Sequence, residues 1–230
     1  MTAALTVFIT GTDTGVGKTH VARLLLDEAR ARGIRCAGFK PVAAGGTKTA
    51  DGTRNEDAVA LQKAASVELS YATVNPYALP EAVAPHISAA DAGVKIAAGR
   101  ILAVHAEIAG QAELVLVEGA GGWQVPLGED LLYSELVGQA GWPVLLVVGM
   151  RLGCLNHALL SANAIRAHAH LVGWVANCLP PRQPRLEDNL LTLARRLPAP
   201  LLGLVAAAGE PAGWERWPKL TVEGLLGALR

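Results

Sequence analysis

The stretch Leu5-Thr-Val-Phe-Ile-Thr-Gly-Thr-Asp-Thr-Gly-Val-Gly-Lys-Thr19 decides the fold of this chain. It opens with an apolar run, continues through a glycine-rich turn and leads into a segment, residues 19–32, with helical spacing. The phosphate-binding loop motif requires this order of strand, turn and helix, and the Gly-Lys-Thr triplet stands at the mouth of the helix. The stretch therefore predicts a loop that binds the triphosphate of ATP together with Mg²⁺.

The residues of this loop are of the types that an anion requires. Gly15 and Gly17 let the backbone curl so that successive N–H groups face a phosphate, and the start of the helix adds its partial positive charge. The Lys18 ammonium can reach the terminal phosphates, and the Thr19 hydroxyl is placed to ligate Mg²⁺. The predicted nucleotide-binding residues of this segment are Thr14, Gly15, Val16, Gly17, Lys18, Thr19 and His20.

One position departs from the motif. Its strict spacing puts the first glycine at position 12, which is Thr12 here, while Gly11 lies one residue earlier. A glycine-rich turn that binds no ligand is the alternative interpretation, because a chain with 25 glycines makes glycines alone weak evidence. The Gly-Lys-Thr triplet in its strand-to-helix context favours phosphate binding.

The pattern of the first strand recurs along the chain. Short apolar runs, each followed by a turn and a longer stretch with helical spacing, are typical of a parallel sheet with crossover helices. The predicted strands cover residues 5–10, 34–39, 114–117, 144–148, 171–176 and 201–205, and the predicted helices cover 19–32, 55–65, 98–111, 131–139, 156–168 and 186–196. We predict one α/β domain, residues 1–230, with the three-layer α/β/α P-loop NTPase fold, a mainly parallel sheet, and ligands bound where the strands end.

An acid and a lysine are expected at the same sheet edge as the loop. Glu118 ends the third strand ahead of a glycine turn, so its carboxylate could hold Mg²⁺; a loop or helix-capping acid is the alternative. Lys40 ends the second strand, and Pro41 prevents a helix from starting there, so its ammonium should lie near Lys18. A second cation beside a triphosphate can stabilise a phosphoryl acceptor, whereas a solvated surface lysine is the alternative. Asp57, at a helix start, is a further metal-ligand candidate that spacing alone does not separate from a surface acid.

Composition narrows the class of partner. The 230 residues include 20 Lys and Arg and 20 Asp and Glu, so no net positive field is available for a nucleic acid or an anionic membrane. Three scattered cysteines, Cys36, Cys154 and Cys178, fit a reducing compartment better than a disulfide framework or paired metal ligands. No secretory signal and no apolar run of ~20 residues is present. We expect a cytoplasmic protein that acts on small molecules.

A series of separated motifs occurs between about residue 6 and about residue 205. They are Gly-Thr-Asp-Thr (11–14), Gly-Phe-Lys-Pro-Val (38–42), Arg54-Asn55, Ala-Thr-Val-Asn-Pro-Tyr (72–77), Pro85-His86, Val-Glu-Gly-Ala-Gly-Gly-Trp (117–123), Leu-Gly-Cys-Leu-Asn-His-Ala (152–158) and Gly-Trp-Val-Ala-Asn (173–177). In this order they closely resemble the dethiobiotin synthetase family. The resemblance implies an ATP-dependent cyclo-ligase of biotin biosynthesis that converts 7,8-diaminononanoate and CO₂ to dethiobiotin, with ADP and phosphate as products. It also implies Mg²⁺ as cofactor and a homodimer with the substrate site at the interface.

The resemblance also implies a chemical sequence and roles for residues. The substrate amine takes up CO₂ as a carbamate, ATP phosphorylates the carbamate to a carbamic-phosphoric anhydride, and the second amine closes the ring. Lys40 resembles the catalytic cation beside the carbamate, and Lys18 the clamp on the γ-phosphate. The implied metal ligands are Thr19, Asp57 and Glu118. Further nucleotide contacts fall on Gly119, Ala120, Gly121 and the adenine-contacting Asn177, and substrate contacts on Thr14, Lys40, Ala44, Gly153, Cys154, Leu155 and Asn156.

Some positions differ from what the resemblance leads us to expect. Gly15 stands where relatives often carry glutamate, Ala44 where serine is frequent, and Asn189 where a tyrosine would help seat the substrate carboxylate. The region 206–219 also departs from the adenine-contacting loop. These differences concern contacts to the substrate and to the adenine base of ATP. They leave the residues expected around the triphosphate unchanged.

Two other functions are considered. A related amide-forming ligase of the cobyrinate type would need a glutamine-hydrolysing domain, for which this length leaves no residues. A nucleotide-switch ATPase of the partitioning or metal-insertion type belongs to a different functional class. Such switches usually carry an extra lysine early in the loop, at the position of Asp13, so this residue argues against a switch.

Overall fold

The computed structural model describes residues 4–206 and 216–229. Its strands, in chain order, are β1 (Leu5–Gly11), β2 (Cys36–Phe39), β3 (Val42–Ala43), β4 (Thr47–Thr49), β5 (Gly52–Arg54), β6 (Tyr77–Ala78), β7 (Leu114–Glu118), β8 (Pro126–Gly128), β9 (Leu131–Leu132), β10 (Val144–Gly149), β11 (Leu171–Cys178) and β12 (Leu201–Ala206). Its helices are α1 (Lys18–Ala31), α2 (Glu56–Ala64), α3 (Tyr71–Val74), α4 (Pro85–Asp91), α5 (Ala98–Ala109), α6 (Tyr133–Ala140), α7 (Cys154–Arg166), α8 (Leu186–Arg196) and α9 (Val222–Ala228).

Six parallel strands form the central sheet in the order β12-β11-β10-β1-β7-β2. The first strand lies inside the sheet, where Phe8 pairs with Val144 of β10 and with Val117 of β7. All six strands begin near one edge and end at the other, because parallel strands joined by crossover helices share a direction. The loops that follow β1, β2, β7, β10 and β11 therefore meet at one edge of the sheet.

Alternating residues of the strands feed two apolar layers. Val7 and Ile9 of β1 pack with residues of α1, α2 and α9, including Leu25, Leu61 and Leu225. Phe8 points to the opposite face, into a larger cluster that contains residues of α4 to α8. The strands are buried on both sides, which explains why their sequences are apolar throughout rather than alternating. Within residues 4–206 and 216–229, no helix is long and apolar enough to span a membrane.

The sequence predictions agree with this fold at all six central strands. Helix α6 begins later than predicted: residues 131–132 pair with β8 as a short strand, and the Glu135 carboxylate accepts a hydrogen bond from the Leu132 N–H at 2.7 Å. Helix α7 begins earlier than predicted, at Cys154, because Gly153 in the left-handed region (φ 95°) starts its first turn. The short strand pairs and the helices α3, α4 and α9 were not predicted. Most of the predicted divergence at 206–219 lies outside the described residues.

Candidate active site

The phosphate-binding loop connects β1 to α1. Gly15 and Gly17 have φ values of 70° and 89°, a region that L residues with a side chain rarely adopt. Gly17 immediately precedes the helix, and its carbonyl accepts the Val21 N–H at 3.0 Å. The first backbone N–H groups of a helix have no partner within it, so those at the start of α1 are available to an anion. The structure thus places residues 12–19 as the motif requires.

The two left-handed glycines differ in the space around them, which gives a matched pair of substitutions. A Cβ at Gly15 would meet nothing within 4 Å, whereas a Cβ at Gly17 would overlap the side-chain amide of Asn177. Gly15→Ala is expected to cost about 1–2 kcal/mol of backbone strain. Gly17→Ala should destabilise the protein by a further ~1–3 kcal/mol from overpacking, measured as the free energy of unfolding in urea. Equal losses in the two variants would contradict the close contact with Asn177.

Lys18 is nearly fully buried although it carries a charge. Its Nζ donates to the carbonyl of Gly121 at 2.6 Å and to that of Asp13 at 3.1 Å. Burial, followed by repulsion from Lys40, lowers the pKa of Lys18 to about 8. An anion beside this ammonium would relieve both effects, which is the environment expected of a phosphate ligand.

Lys40, Glu118 and Asp57 form an ionic cluster beside the loop, in which Lys40 and Glu118 are buried and Asp57 is half-exposed. The Lys40 Nζ lies 2.6 Å from Glu118 Oε1 and 3.2 Å from Asp57 Oδ2. The Thr19 hydroxyl donates to the same Glu118 Oε1 at 2.8 Å, so the cluster is joined to the start of α1. Lys40 is 3% exposed, which rules out the solvated surface lysine that the sequence left open. Asp57 keeps an exposed side-chain fraction of 48%, but it pairs with Lys40 and so joins the cluster at its edge.

The environment of the cluster favours the ionised forms of Lys40 and Asp57. Burial alone disfavours the Lys40 ammonium, but the carboxylates of Glu118 and Asp57 outweigh it and raise its pKa. Burial likewise opposes ionisation of Asp57, but the Lys40 charge outweighs it and lowers the pKa of that carboxyl. Opposite charges at these distances favour the charged forms of each other. Lys40 is therefore a permanent cation in this site.

Oxygen atoms near the loop suit a magnesium ion. Thr19, Asp57 and Glu118 together offer a hydroxyl and two carboxylates, and Glu118 Oε2 is buried without a hydrogen-bond partner among residues 4–206 and 216–229. The described part of the chain contains no group of three or more His, Cys, Asp and Glu side chains that could by themselves hold a metal ion. Few protein carboxylates are expected for Mg²⁺, which keeps waters and takes further oxygens from phosphates. The donor set therefore fits this ion.

Asn177 lies behind the loop at the end of β11. Its Nδ2 donates to the Val16 carbonyl at 2.8 Å, and Val16 itself is buried against Gly149. Its Oδ1 is buried and unpartnered within the described residues, so it remains free to accept a hydrogen bond. This placement is compatible with an adenine contact and adds a role in holding the loop.

The remaining candidate residues lie around this centre. In the glycine turn after β7, the Gly121 carbonyl accepts a hydrogen bond from the Lys18 ammonium, and Gly119 packs against Phe8. The Thr14 side chain lies next to Gly121. Ala120 follows Gly119 in the same turn and is partly buried, whereas His20 is exposed on α1. Ala44 contributes its carbonyl to Asn55 Nδ2 at 3.2 Å.

An ion pair connects the phosphate-binding loop to the residues just before α7. The Arg151 guanidinium contacts the Asp13 carboxylate. The backbone carbonyl of Arg151 accepts a hydrogen bond from the Cys154 N–H at 3.0 Å. Leu155 and Asn156 follow Cys154 in the first turn of α7, which opens with Gly153. The three cysteines are free thiols, and Cys154 and Cys36 are buried.

Several residues of the site were not assigned a role from the sequence. Asn55, Tyr71 and Asn75 form hydrogen bonds beneath Lys40 and α2, and Arg151 ties the loop to α7. Asn55 has a local signal, because an asparagine followed by two acids before a helical segment predicts a cap. Tyr71 and Arg151 have no comparable signal in a single sequence.

Comparisons with known proteins agree with this geometry. A sequence model of the AAA domain family matches residues 5–208. Three relatives carry the name ATP-dependent dethiobiotin synthetase BioD. The protein from Pseudomonas paraeruginosa (strain DSM 24068 / PA7) is 54% identical over 210 residues, or 89% of this chain and 92% of its own. Those from Xylella fastidiosa (strain 9a5c) and Xanthomonas campestris pv. campestris (strain B100) are 50% and 46% identical, over 85% and 97% of this chain and 87% and 96% of theirs.

Solved structures with a similar fold have unrelated names. The signal recognition particle 54 kDa protein from Aeropyrum pernix K1, in complex with GDP, has a TM-score of 0.56 at 16% identity, covering 93% of this chain and 43% of that one. The cell division protein FtsY from Thermotoga maritima has a TM-score of 0.50 at 16% identity, covering 98% and 68%. At this identity the likeness concerns the fold alone. The predicted α/β fold of the P-loop NTPase type is confirmed.

Proposed function

We infer the function of this chain from the premise that it belongs to the ATP-dependent dethiobiotin synthetases, within the wider AAA domain family. It is a ligase that forms dethiobiotin from diaminononanoate, CO₂ and ATP, a step of biotin biosynthesis. The observation that carries this function is the identity of 46–54% to synthetases over most of the chain. The nucleotide-switch alternative is not favoured, since Asp13 occupies the position of the switch lysine and pairs with Arg151.

We propose that the triphosphate lies along the N–H groups of residues 15–19, with Lys18 at the γ-phosphate. Three features support this placement: the left-handed glycines, the free start of α1 and the buried ammonium of Lys18. Asn177 is proposed to meet the adenine through its free Oδ1. The residues of the loop and of the glycine turn 119–121 then enclose the phosphates.

The proposed reaction proceeds through a carbamate. An amine of diaminononanoate adds to CO₂ and releases a proton, and an oxygen of the resulting carbamate attacks the γ-phosphorus of ATP as ADP leaves. The second amine then attacks the carbonyl carbon of the carbamic-phosphoric anhydride, and phosphate leaves as the ring closes. Lys40 donates hydrogen bonds to the carbamate and holds this anion in line with the triphosphate. Burial disfavours its charge, but the carboxylates of Glu118 and Asp57 raise the pKa of Lys40 and favour the ammonium form.

Thr19, Asp57 and Glu118 are proposed to hold Mg²⁺. When bound, the ion neutralises phosphate charge and favours departure of ADP. The unpartnered Glu118 Oε2 and the hydroxyl of Thr19 support this assignment. Because Glu118 Oε1 also contacts Lys40, one carboxylate serves the metal side and the carbamate side of the site.

Glu118→Gln is expected to raise the Mg²⁺ concentration needed for half-maximal activity by about 10-fold. The amide keeps the shape of the side chain but removes the charge that a hard divalent ion prefers. The measurement is ADP release during a Mg²⁺ titration. The control is Glu113→Gln, because Glu113 is exposed and lies just before β7, whereas Glu118 is the last residue of that strand. An unchanged Mg²⁺ requirement in Glu118→Gln would contradict the assignment of Glu118 as a metal ligand.

We further propose a homodimer in which the start of α7 holds the substrate carboxylate. Leu152 and Leu160 are 95% and 61% exposed, which is unusual for large apolar side chains and supports a covered surface at α7. The N–H groups of Gly153, Leu155 and Asn156 open the helix and suit a carboxylate, whereas that of Cys154 donates to the Arg151 carbonyl. Sedimentation of the purified protein tests this proposal, and a monomer at enzyme-assay concentrations would contradict it. A single domain and a cytoplasmic location are proposed with it.

The deciding experiment combines the protein with diaminononanoate, labelled bicarbonate and Mg-ATP. The expected result is ADP release that depends on the diamine, with label recovered in dethiobiotin. Release of phosphate at the same rate without the diamine would favour the switch ATPase. Omission of bicarbonate serves as the matched control, since it removes the carbon source and leaves the nucleotide unchanged.

A further inference from the structure

The motifs Arg54-Asn55 and 72–77 have no role in the proposed chemistry, yet the second contacts the backbone of Lys40 and the first caps the helix that carries Asp57. The backbone of Lys40 leaves the sheet after β2 and is held by the segment that follows α3. Its N–H donates to the Val74 carbonyl at 2.9 Å, and its carbonyl accepts from Asn75 Nδ2 at 2.6 Å. The Tyr77 N–H donates to the Pro41 carbonyl at 3.1 Å. The lysine is therefore fixed by this segment rather than by a neighbouring strand.

Asn55 fixes the start of α2 in a similar way. Its Oδ1 accepts the N–H groups of Asp57 and Ala58 at 3.1 and 3.3 Å, and this cap orients the first turn that carries Asp57. Its Nδ2 donates to the Ala44 carbonyl. Its backbone N–H, the remaining donor, is bound by the hydroxyl of Tyr71 at 2.7 Å.

The Tyr71 hydroxyl joins these two supports. It accepts from the Asn55 N–H and donates to Asn75 Oδ1 at 2.9 Å, so that both its hydrogen-bonding functions are used. The guanidinium of Arg54 lies 4.1 Å from the centre of the tyrosine ring and covers it. Asn75 and Asn55 are 2% and 8% exposed, so water does not readily replace these bonds.

The contacts form a closed ring that begins and ends at Lys40. From its ammonium the ring passes through Asp57, the cap of α2 and the Tyr71 hydroxyl, and it returns through Asn75 to the Lys40 carbonyl. We propose that Tyr71 is a positioning residue for the ligase reaction, whose hydroxyl fixes the separation of Lys40 and Asp57. Removal of that hydroxyl leaves a buried N–H and a buried amide oxygen without partners, and the ring opens. This inference rests on the proposed function for the roles of Lys40 and Asp57.

A second tyrosine provides a matched control. The Tyr77 hydroxyl accepts the Ala97 N–H at 3.0 Å, and the guanidinium of Arg100 lies 5.1 Å from its ring centre. Tyr71→Phe and Tyr77→Phe therefore each remove a hydroxyl that binds a backbone N–H beneath an arginine. Only the first hydroxyl belongs to the ring around Lys40.

The experiment compares steady-state kinetics of the two variants under conditions where each is folded. Tyr71→Phe is expected to lower kcat for dethiobiotin formation by about 10-fold and to leave its KM for ATP within about twofold of the wild type. The kcat of Tyr77→Phe is expected to stay within about twofold of the wild type. Equal kcat values in the two variants would overturn the proposal, because a tyrosine with a purely structural role affects stability alone. Asn75→Ala opens the ring at its next member and is expected to reproduce the kcat loss if Tyr71→Phe fails to fold.

Hydrogen exchange supplies a second measurement that needs no substrate. Amides in residues 36–45 and 55–62 are expected to exchange about 10-fold faster in Tyr71→Phe and at the wild-type rate in Tyr77→Phe. Unchanged exchange in Tyr71→Phe would contradict the ring even where the kinetics changed. If the wild-type protein formed no dethiobiotin, the proposed function would fail, whereas the exchange comparison would still decide whether Tyr71 holds these segments.

Discussion

Lys40→Ala lowers kcat for dethiobiotin formation by an expected 10²–10³-fold, roughly the effect of removing one preorganised donor from a reacting anion. The affinity for ATP is expected to change by less than about threefold, because Lys18 and the loop amides hold the phosphates. The contrast follows from the proposed roles, in which Lys40 acts on the carbamate; in the structure its ammonium lies 2.6 Å from Glu118 and 3.2 Å from Asp57.

The substitution also has a structural cost that the experiment must separate. Without Lys40, Glu118 is a buried carboxylate without its counterion, and breaking such a pair costs about 3–5 kcal/mol. ATP binding by calorimetry and kcat are therefore measured on protein shown to be folded by circular dichroism. Lys63→Ala, on the exposed surface of α2, is the matched control. If Lys40→Ala lost turnover and ATP affinity equally, Lys40 would be assigned to nucleotide binding rather than to the carbamate.

Lys18→Ala is expected to weaken ATP binding by about 10- to 100-fold, which corresponds to a charge-assisted contact of roughly 1.5–3 kcal/mol. In the structure this ammonium already donates to the carbonyls of Asp13 and Gly121, so the phosphates compete with these two partners for its three N–H groups. The loss is therefore smaller than the full strength of the new contact. Burial makes the contact stronger than a surface ion pair.

Calorimetry with Mg-ATP in the absence of the diamine measures this effect directly. Lys48→Ala, an exposed lysine on β4, is the control for the loss of one positive charge. Unchanged affinity in Lys18→Ala would contradict the placement of the triphosphate in residues 15–19. A crystal soaked with nucleotide in which the loop held no phosphate would contradict it more directly.

Lys18 and Lys40 illustrate how far the sequence predicts such a site. The role of Lys18 follows from its neighbours in the chain, since the strand, glycines and helix that surround it are all local. The position of Lys40 at a strand end was also predictable, and the sheet order confirms that β2 and β1 end at the same edge. Its partners were less certain, because Asp57 had no local feature that distinguishes it from a surface acid.

The boundaries that the sequence missed have local physical causes. The pattern at residues 131–139 is helical, but pairing with β8 draws its first two residues into a strand, and the Glu135 side chain caps the helix that follows. At α7, a glycine in the left-handed region starts the helix before the apolar spacing becomes regular. Pairing partners and backbone angles of this kind are not encoded in periodicity.

The sequence by itself determined the phosphate-binding loop, the six parallel strands and the family. These depend on the order of residues along short stretches and on apolar runs, which act locally. The tertiary structure alone decided that Lys40 and Glu118, 78 residues apart, form a buried pair, that Asn177 supports Val16 across 161 residues, and that Tyr71 closes a ring beneath the lysine. Burial and charge at such sites depend on which strands become neighbours, and that choice is made by packing of the whole sheet rather than by any one segment.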